Sequence, residues 1–328
     1  MAGDSNATSS SRTGFSAGGA VHVVVIAHNS EHELTDSLAA IGSSVPVTVV
    51  DVASEDRSAE LVEREFPDVG LLRLVENVGF GSAANIGVAA TDSTFVLLAN
   101  ADARPIGDAI PRLEAAARED PRLAIVAPSL RNPDGTPQRS IFGYPRTAGA
   151  LAMWAACPGI LSRVYALGQR ARPAKRLGAG AQIELISSPR FPSGAALLIR
   201  RSAFDEAGGF DDRFFMYSEE TDLCEEVRRR GWRVAAVAGA AFVHVGGASA
   251  SRVRAAMYRE QLRSYLIFLA KHEGPGQAER ARRLLGRSLR IRAAVDPASR
   301  ALELAKTSAW IAGSDLATLI GEPKERST

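Results

Sequence analysis

The sequence predicts an α/β fold in which a mostly parallel, Rossmann-like β-sheet is flanked by helices. Short apolar runs rich in β-branched residues alternate with segments of helical periodicity from residue 21 onward, as is typical of parallel strands buried on both faces. Polar residues follow four successive strands, at the sheet edge where ligands bind in folds of this type. These two observations predict both the architecture and the location of a site.

The first two strands are predicted at residues 21–27 and 45–50, because both segments are runs of valine and other apolar residues. A helix is predicted between them. Ser30 and Glu33 have the spacing of a capping box, and apolar residues then recur at helical intervals. The order strand, helix, strand predicts that the two strands pair in parallel.

The same alternation continues along the chain. The further predicted elements are strands at 71–75, 94–98, 123–127, 193–199 and 240–245, and helices at 58–66, 82–90 and 219–230. Helical patterns also fill the region beyond residue 251, so the α/β region is expected to carry a C-terminal helical extension.

The composition is that of an ordinary globular protein, with 46% apolar and 23% charged residues in 328, which excludes a collagen-like or wholly disordered chain. No apolar run reaches the ~18 residues of a membrane span. Cys157 and Cys224 lack the C-x-x-C spacing of metal and redox sites, and so few cysteines predict a reducing, cytoplasmic location. No G-x-G-x-x-G follows the first predicted strand, which counts against a dinucleotide-dependent dehydrogenase, and the sequence has no G-x-x-x-x-G-K-[ST] motif of a P-loop nucleotidase.

The composition divides the chain into regions. Residues 1–19 are predicted to be a disordered arm, 20–250 the α/β domain and 251–328 a basic helical extension. Within the α/β domain, the irregular residues 131–192 are predicted to be an insertion that contributes to acceptor binding, with a buried helix as the alternative. This extension holds 15 Lys and Arg against 8 Asp and Glu. Solvated helix faces would explain the charge, and attraction to an anionic membrane surface is the alternative. No nucleic-acid-binding motif accompanies it, so nucleic acid is not a predicted partner.

Carboxylate and amide side chains follow each of the first four strands. They occur in His28-Asn29-Ser30, at Asp51, in Glu76-Asn77 and in Asn100-Ala101-Asp102. Because the carboxyl ends of parallel strands meet at one edge of the sheet, we expect these side chains to form one site.

Six segments along the chain together resemble a known family. They read, in order, VVVIAHNS, VVDVASEDRS, ENVGFGSAAN, VLLANADA, FPSGAALLIRRSAFDEAGGFDDRFFMYSEETDLCEEVRRRGW and VHVGGAS. They are similar to the successive motifs of family 2 glycosyltransferases, above all those of the rhamnosyltransferase-like branch of bacterial cell-wall and polysaccharide assembly. The resemblance covers residues 21 to 249. It implies a GT-A fold, a nucleotide-sugar donor, Mg²⁺ or Mn²⁺, and inversion at the anomeric carbon.

The resemblance also implies roles for individual residues. Asp51 is expected to bind the nucleobase and Asn77 to lie in the nucleotide pocket. Asp102 occupies the place of the family's metal-binding D-x-D element, and His244 that of a metal-binding histidine. Weaker candidates for the donor site are Asn29, Ser54, Asp56, Gly79, Asn85 and Asn100. Ser193 and Gly194 are further candidates because their small size leaves room for the donor sugar and the acceptor, and the alternative is a tight turn that needs only backbone freedom.

The residue types alone leave alternatives at the two metal candidates. Carboxylate oxygen and imidazole nitrogen are suitable ligands for a divalent cation that neutralises a departing diphosphate. Asp102 would instead be a helix cap if a helix began near Pro105. A histidine at a strand end, such as His244, is commonly a structural residue.

An acidic cluster marks the predicted helix at 219–230. Steps of 100° place Glu220 in the middle of an apolar face formed by Leu223, Cys224 and Val227. A carboxylate there is suited to act as a general base, whereas an acidic first turn that merely complements the helix dipole is the alternative. The resemblance implies that this cluster contains the base and aligns Glu220 with it. In this projection the other acidic residues point elsewhere: Glu219, Asp222 and Glu226, of which Glu219 and Asp222 are the alternate bases.

These observations predict an inverting, metal-dependent glycosyltransferase. Its expected reaction moves L-rhamnose from dTDP-rhamnose to a polyprenyl-diphosphate-linked or growing glycan, at the inner face of the plasma membrane. The alternatives are transfer of galactofuranose or N-acetylglucosamine from UDP, and a non-catalytic nucleotide- or glycan-binding protein. The joint presence of Asp102, Glu220 and His244 counts against a non-catalytic protein.

Overall fold

The computed structural model describes residues 11–12, 20–156, 176–177, 183–246, 254–296 and 298–321. The chain forms two compact units. The first, called here the α/β unit, comprises residues 1–142, 174–211 and 220–249. The second, the helical unit, comprises residues 143–173, 212–219 and 250–328.

Fourteen strands lie within the described residues. They are β1 (Ser11–Arg12), β2 (Val21–Ala27), β3 (Val47–Val52), β4 (Gly70–Leu74), β5 (Phe95–Asn100), β6 (Ala103–Pro105), β7 (Leu123–Arg131), β8 (Pro137–Gln138), β9 (Ile141–Gly143), β10 (Arg176–Leu177), β11 (Ile183–Leu185), β12 (Arg190–Pro192), β13 (Ala196–Arg200) and β14 (Arg233–His244). The helices of the same region are α1 (Glu31–Ile41), α2 (Ser58–Glu65), α3 (Phe80–Ala89), α4 (Ala109–Glu119), α6 (Arg201–Ala207) and α7 (Glu219–Arg229).

The strands form one mixed sheet, with a separate β9–β12 pair. The main sheet runs β1-β4-β3-β2-β5-β13-β7-β14-β11-β10, and β6 and β8 pair with β14 and β7. Strands β2 to β5 are parallel, with Val24 opposite both Thr48 and Leu98. Strand β13 is antiparallel to both of its neighbours, β5 and β7. The predicted α/β class and its flanking helices are confirmed.

The central strands are buried on both faces because helices cover each side of the sheet. All seven residues of β2 are buried. Val23 and Val25 pack in a cluster with Leu34 of α1, whereas Val24 packs in a second cluster that includes Ala84 of α3. Two hydrophobic layers therefore hold the sheet rigid, and its carboxyl edge projects the polar side chains described below.

Several local predictions need correction. Strand β3 lies two residues later than predicted, and β5 and β7 are longer at their carboxyl ends. Ser30 precedes α1, but its hydroxyl donates to the backbone oxygen of His28 instead of capping the helix, so the predicted capping box does not form. Helix α4 begins at Ala109 and residues 103–105 form β6. Asp102 is therefore not a helix cap.

Two residues of the predicted N-terminal arm, Ser11 and Arg12, form β1. This strand pairs antiparallel with β4 and is the outermost strand on that side of the sheet. Residues 1–10 and 13–19 lie outside the described residues, as do 157–175 and 178–182 of the predicted insertion. Cys157 therefore also lies outside the described residues. Cys224 lies in the core, where burial raises the pKa of its thiol to about 12, so it is a packing residue.

The helical unit contains α5 (Ala148–Ala156), α8 (Arg254–His272), α9 (Pro275–Val295), α10 (Ala298–Gly313) and α11 (Leu316–Ile320). Helix α9 buries a stripe at helical spacing that consists of Ala278, Ala281, Leu285 and Leu289. None of the helices within the described ranges has both the length and the apolar character needed to cross a lipid bilayer.

Candidate active site

Asp51 lies at the carboxyl end of β3 with one unsatisfied oxygen. Its side chain is 3% exposed, and Oδ2 accepts a hydrogen bond from the Ser54 backbone at 3.3 Å. Oδ1 is buried and has no hydrogen-bond partner among the described residues. Burial raises the pKa of the Asp51 carboxyl, while hydrogen bonds from Ser54 and the charge of Arg73 oppose the shift. A buried carboxylate oxygen without a donor is costly, so the position suits a ligand that brings an N–H or O–H group.

The loops after β2 and β3 are joined by hydrogen bonds of three predicted donor-site residues. The Asn29 backbone donates to Ser54 Oγ at 2.9 Å, and Asn29 Oδ1 accepts from the Glu55 backbone at 2.8 Å. Asp56 accepts from the backbone of Glu31 and of Ser58, each at 3.0 Å. Asn29, Ser54 and Asp56 therefore build the loops that surround Asp51.

Asn77 and Gly79 form the turn that starts α3. Asn77 is exposed, and its Oδ1 accepts from the Gly79 backbone at 3.0 Å. Asn85 lies farther along the same helix, and its side-chain amide bonds the backbone of Phe210. Asn85 is a predicted donor-site residue, but these contacts assign its amide to holding the loop before α7.

Asp102 and His244 lie side by side, although they are far apart in sequence. Strand β14 pairs antiparallel with β6, which places His244 opposite Ala103. Asp102 Oδ2 accepts from the Gly246 backbone at 2.9 Å, and its Oδ1 lies 3.5 Å from His244 Nε2. Both side chains are partly exposed. Gly247, which follows, lies outside the described residues.

The Asp102 and His244 side chains fit a divalent cation. The distance of 3.5 Å between Nε2 and Oδ1 exceeds that of a normal hydrogen bond. Two ligands of one hard cation, each at about 2.1 Å from it, are separated by at most about 4.2 Å. The pair also combines carboxylate and imidazole, which Mn²⁺ and Mg²⁺ sites accept. Both residues can therefore hold one ion.

The acidic residues of α7 differ sharply in burial. Glu219 is 7% exposed and Asp222 is fully buried, whereas Glu220 is half-buried. The apolar face predicted for the helix does lie in the core. The helical projection did not predict the burial of Asp222, which lies off that apolar face in the projection and is nevertheless more buried than Glu220.

Glu220 borders the start of β13. A Cβ atom added to Gly194 would lie 3.8 Å from the Glu220 side chain. Ala195 accepts through its backbone oxygen from the Asn100 backbone at 3.0 Å, and Ser193 donates through its backbone N–H to Ser140 at 2.8 Å. Glu220, Gly194 and Asn100 therefore lie along one stretch of the sheet edge, and Asn100 is two residues before Asp102.

Four residues other than glycine have positive φ angles within the described residues: Asn29, Ala53, Tyr217 and Ser218. Each lies beside a candidate site residue, either after β2 or β3 or directly before Glu219. Such conformations cluster at functional sites because the surrounding structure must hold them. No sequence signal marks Ala53. Gln138, whose amide contacts His244, is also absent from the predicted site, because it lies in a turn region without a motif.

Comparison with protein families decides the class of the protein. The model of the family described as "Glycosyl transferase family 2" matches residues 22–208. The chain belongs to glycosyltransferase family 2. This confirms the resemblance found in the sequence and makes the protein a family 2 glycosyltransferase enzyme.

The relatives of this glycosyltransferase agree with that assignment. It is 30% identical, over 70% of its own chain and 76% of the relative, to the N-acetylglucosaminyl-diphospho-decaprenol L-rhamnosyltransferase of Mycobacterium tuberculosis. Its fold is similar to mannosyltransferase PcManGT from Pyrobaculum calidifontis, solved with GDP-Man and Mn²⁺, at a TM-score of 0.51 and 18% identity over 92% of this chain and 84% of that one. S. aureus TarS 1–349 is similar at a TM-score of 0.50 and 14% identity, over 92% and 80% of the two chains. These structures confirm the fold.

Proposed function

We propose that this glycosyltransferase moves L-rhamnose from dTDP-rhamnose to a polyprenyl-diphosphate-linked glycan, with inversion at the anomeric carbon. The observation that carries the proposal is the arrangement at the carboxyl edge of the sheet. Asp51 lies near the end of β3, Asp102 follows β5, His244 ends β14, and Glu220 lies in the first turn of α7. The mycobacterial relative is named for rhamnosyl transfer to a diphospho-decaprenol acceptor, which supports this choice of sugar and acceptor.

Asp51 supplies the nucleobase contact in this proposal. Its buried Oδ1 accepts from the ring N–H of a thymine or uracil base, which offsets the cost of burying the carboxylate. The loops built by Asn29, Ser54 and Asp56 hold Asp51 in place, and the turn at Asn77 and Gly79 completes the pocket. Thymine and uracil share this N–H group, so the same contact also serves a UDP-sugar.

Asp102 and His244 hold the cation in this proposal, as Mg²⁺ or Mn²⁺. When bound, the cation supplies positive charge that stabilises the departing nucleoside diphosphate. Solved structures of similar fold include one with bound Mn²⁺, which supports the assignment. Gly246 contributes its backbone N–H to Asp102 Oδ2, so the carboxylate is held with Oδ1 turned toward His244.

Glu220 is the proposed general base. As the acceptor hydroxyl oxygen attacks the anomeric carbon, its proton passes to the Glu220 carboxylate. The bond from that carbon to the diphosphate oxygen breaks on the opposite face, which inverts the configuration. Gly194 carries no side chain and so leaves room for the sugar beside Glu220. Glu219 and Asp222 remain alternates, but their deeper burial gives an acceptor less access.

The helical unit supports a cytoplasmic enzyme bound peripherally to an anionic membrane. Four arginines of α9, namely Arg280, Arg283, Arg287 and Arg290, are exposed at three- and four-residue steps and therefore share one face. Arg280, Arg287 and Arg290 form no ion pair within the part of the chain that the structure describes. Ile291 and Val295 are 67% and 77% exposed near the end of this face. Basic residues beside exposed aliphatic ones suit an anionic lipid surface.

The donor and acceptor are tested by assaying the full chain with dTDP-rhamnose, UDP-N-acetylglucosamine and UDP-galactofuranose. A polyprenyl-diphosphate-linked N-acetylglucosamine serves as acceptor, with Mn²⁺, Mg²⁺ or chelator. Of the three donors, we expect only dTDP-rhamnose to support turnover. We expect no turnover when chelator replaces the metal ion. Turnover with only a UDP-sugar would show that the donor is that UDP-sugar and not dTDP-rhamnose, while the protein would still be a glycosyltransferase. Nucleotide binding without turnover with any donor would favour the non-catalytic alternative.

A further inference from the structure

The hairpin of β7 and β8 places the amide of Gln138 against the imidazole of His244. Gln138 Nε2 donates to the backbone oxygen of His244 and to Asn132 Oδ1, each at 3.0 Å. Its Oε1 lies 2.8 Å from His244 Nδ1. Because both N–H groups of the amide already have acceptors, the oxygen must be the atom that faces Nδ1. An amide oxygen only accepts hydrogen bonds, so Nδ1 must carry the proton.

The proton on Nδ1 determines what His244 offers on its other side. In a neutral imidazole with a protonated Nδ1, Nε2 carries a lone pair. Nε2 is the nitrogen that lies 3.5 Å from Asp102 Oδ1. The two groups thus present lone pairs toward the same point, which is the arrangement required of two ligands of one cation.

We propose that Gln138 is a positioning residue that holds His244 in the Nδ1-protonated tautomer and thereby directs Nε2 toward the divalent cation. The part of this inference that concerns the cation rests on the proposed function. The part that concerns the tautomer does not, because it follows from the hydrogen bonds of the chain itself.

The hairpin is built to hold this amide in place. Strand β8 pairs with β7 so that Gln138 lies opposite Leu130, and β7 also pairs with β14, which ends at His244. Asn132 closes the turn through a backbone hydrogen bond to Thr136 at 2.9 Å and a side-chain bond to Thr136 Oγ1 at 2.9 Å. The same Asn132 accepts from Gln138. Backbone pairing and the turn therefore fix both ends of the contact with His244.

Nuclear magnetic resonance of the metal-free, ¹⁵N-labelled full chain tests the tautomer directly. Two-bond ¹H–¹⁵N correlations at alkaline pH, where the imidazole is neutral, distinguish a protonated Nδ1 from a protonated Nε2, and His244→Ala identifies the signal among five histidines. We expect Nδ1 to be protonated in the native protein. Protonation of His244 at Nε2 in the native protein would overturn the proposal.

Three variants separate positioning from a general effect on the hairpin. Gln138→Leu removes the amide at similar size and should allow the Nε2-protonated tautomer, whereas Gln138→Glu keeps an acceptor oxygen and should preserve the Nδ1-protonated form. Thr136→Ala disturbs the same turn without touching His244 and is the matched control. A Gln138→Leu protein with the native tautomer would overturn the proposal.

Titration with Mn²⁺ alone, followed by the electron paramagnetic resonance signal of the free ion, provides the second readout. Loss of an outer partner of a metal-binding histidine typically weakens metal affinity by about 10–100-fold, which we expect for Gln138→Leu. Thr136→Ala should bind as the native protein does and Gln138→Glu should recover most of the loss. A native protein that binds no Mn²⁺ would refute the metal site of the proposed function, and the tautomer result would then decide the role of Gln138 separately.

Discussion

The side-chain amide of Asn85 forms two hydrogen bonds with the backbone of Phe210, a residue 125 positions further along the chain. Nδ2 donates to the Phe210 oxygen and Oδ1 accepts from its N–H, both at 2.9 Å. Gly209, with a φ angle of +71°, brings the loop this close, since a Cβ there would lie 2.7 Å from Asn85 Oδ1. This contact joins α3 to the loop that precedes the candidate base.

Asn85→Ala is expected to destabilise the protein by about 1–3 kcal/mol, because the Phe210 N–H and oxygen lose their partners in a partly buried position. Urea unfolding measures the change. Asp92→Ala, at an exposed position after α3, is the control and should be close to neutral. Equal stability of the two variants would contradict the structural role of Asn85.

Asp51→Asn is expected to stabilise the free protein at neutral pH and to weaken nucleotide binding. Burial raises the native pKa of Asp51 above its ordinary value of 3.8, so the native state binds the proton more tightly than the unfolded state. The native protein therefore loses stability as pH rises from 3.8 through this raised pKa. Asparagine at position 51 does not titrate, so Asp51→Asn should not lose this part of its stability as the pH rises.

Thermal unfolding of both proteins across this pH range tests the Asp51 prediction. The gain in melting temperature should be absent below pH 3.8 and full at neutral pH. A gain of the same size at every pH would show that the charge of Asp51 is not its cause. Calorimetry with dTDP and with UDP measures the expected loss of binding.

Asp102→Asn and His244→Ala are each expected to weaken Mn²⁺-dependent binding of dTDP without loss of the fold. Both side chains are partly exposed, so neither change opens a core cavity. Because the two residues are proposed to hold one ion, the double variant should lose little more than either single one. Calorimetry with and without Mn²⁺ decides this, and unchanged affinity in both single variants would contradict the metal site.

Glu220→Gln is expected to lower kcat by about 10²–10⁴-fold and to leave donor affinity unchanged, since Gln has nearly the same shape but cannot take the acceptor proton. Glu219→Gln and Asp222→Asn are the matched controls. Their deeper burial predicts that they affect stability more than kcat. Turnover and urea unfolding of all three should be measured, and a Glu220→Gln enzyme with native kcat would assign the base elsewhere.

Gly194→Ala tests the space beside Glu220. The added Cβ would lie 3.8 Å from the Glu220 side chain, an ordinary contact distance, so the free energy of unfolding should change little. The same methyl group would occupy room proposed for the sugar, and kcat/KM should fall. A native kcat/KM in Gly194→Ala would show that Gly194 does not border the sugar site.

Arg287→Glu/Arg290→Glu is expected to reduce sedimentation with anionic vesicles, because it reverses two charges on the exposed face of α9. Binding of the native protein should also weaken with added salt. Arg64→Glu/Arg122→Glu makes the same charge change at exposed positions of the α/β unit and should bind normally. Equal partitioning of the native protein to neutral and anionic vesicles would refute an electrostatic attachment.

Elements with a local sequence signal can be predicted from the amino-acid sequence of this protein. The valine run at 21–27 and the helical spacing of Leu34 and Leu38 are periodic patterns that depend on neighbouring residues alone. The polar residues at the strand ends are equally visible, and parallel pairing of β2, β3 and β5 follows from the alternation of strands and helices. These patterns are sufficient to place Asp51 and Asp102 at one sheet edge.

Contacts between distant segments are visible only in the folded chain. Antiparallel insertion of β13 between β5 and β7 brings Gly194 to Asn100, and a helical projection of α7 could not show that Asp222 is more buried than Glu220. Asn85 with Phe210 and Gln138 with His244 are likewise pairs separated by more than a hundred residues. Local periodicity indicates which face of a helix or strand is apolar. The hydrogen-bond partner of a polar side chain depends instead on the strand order and on the path of the loops, and both depend on the packing of the whole sheet.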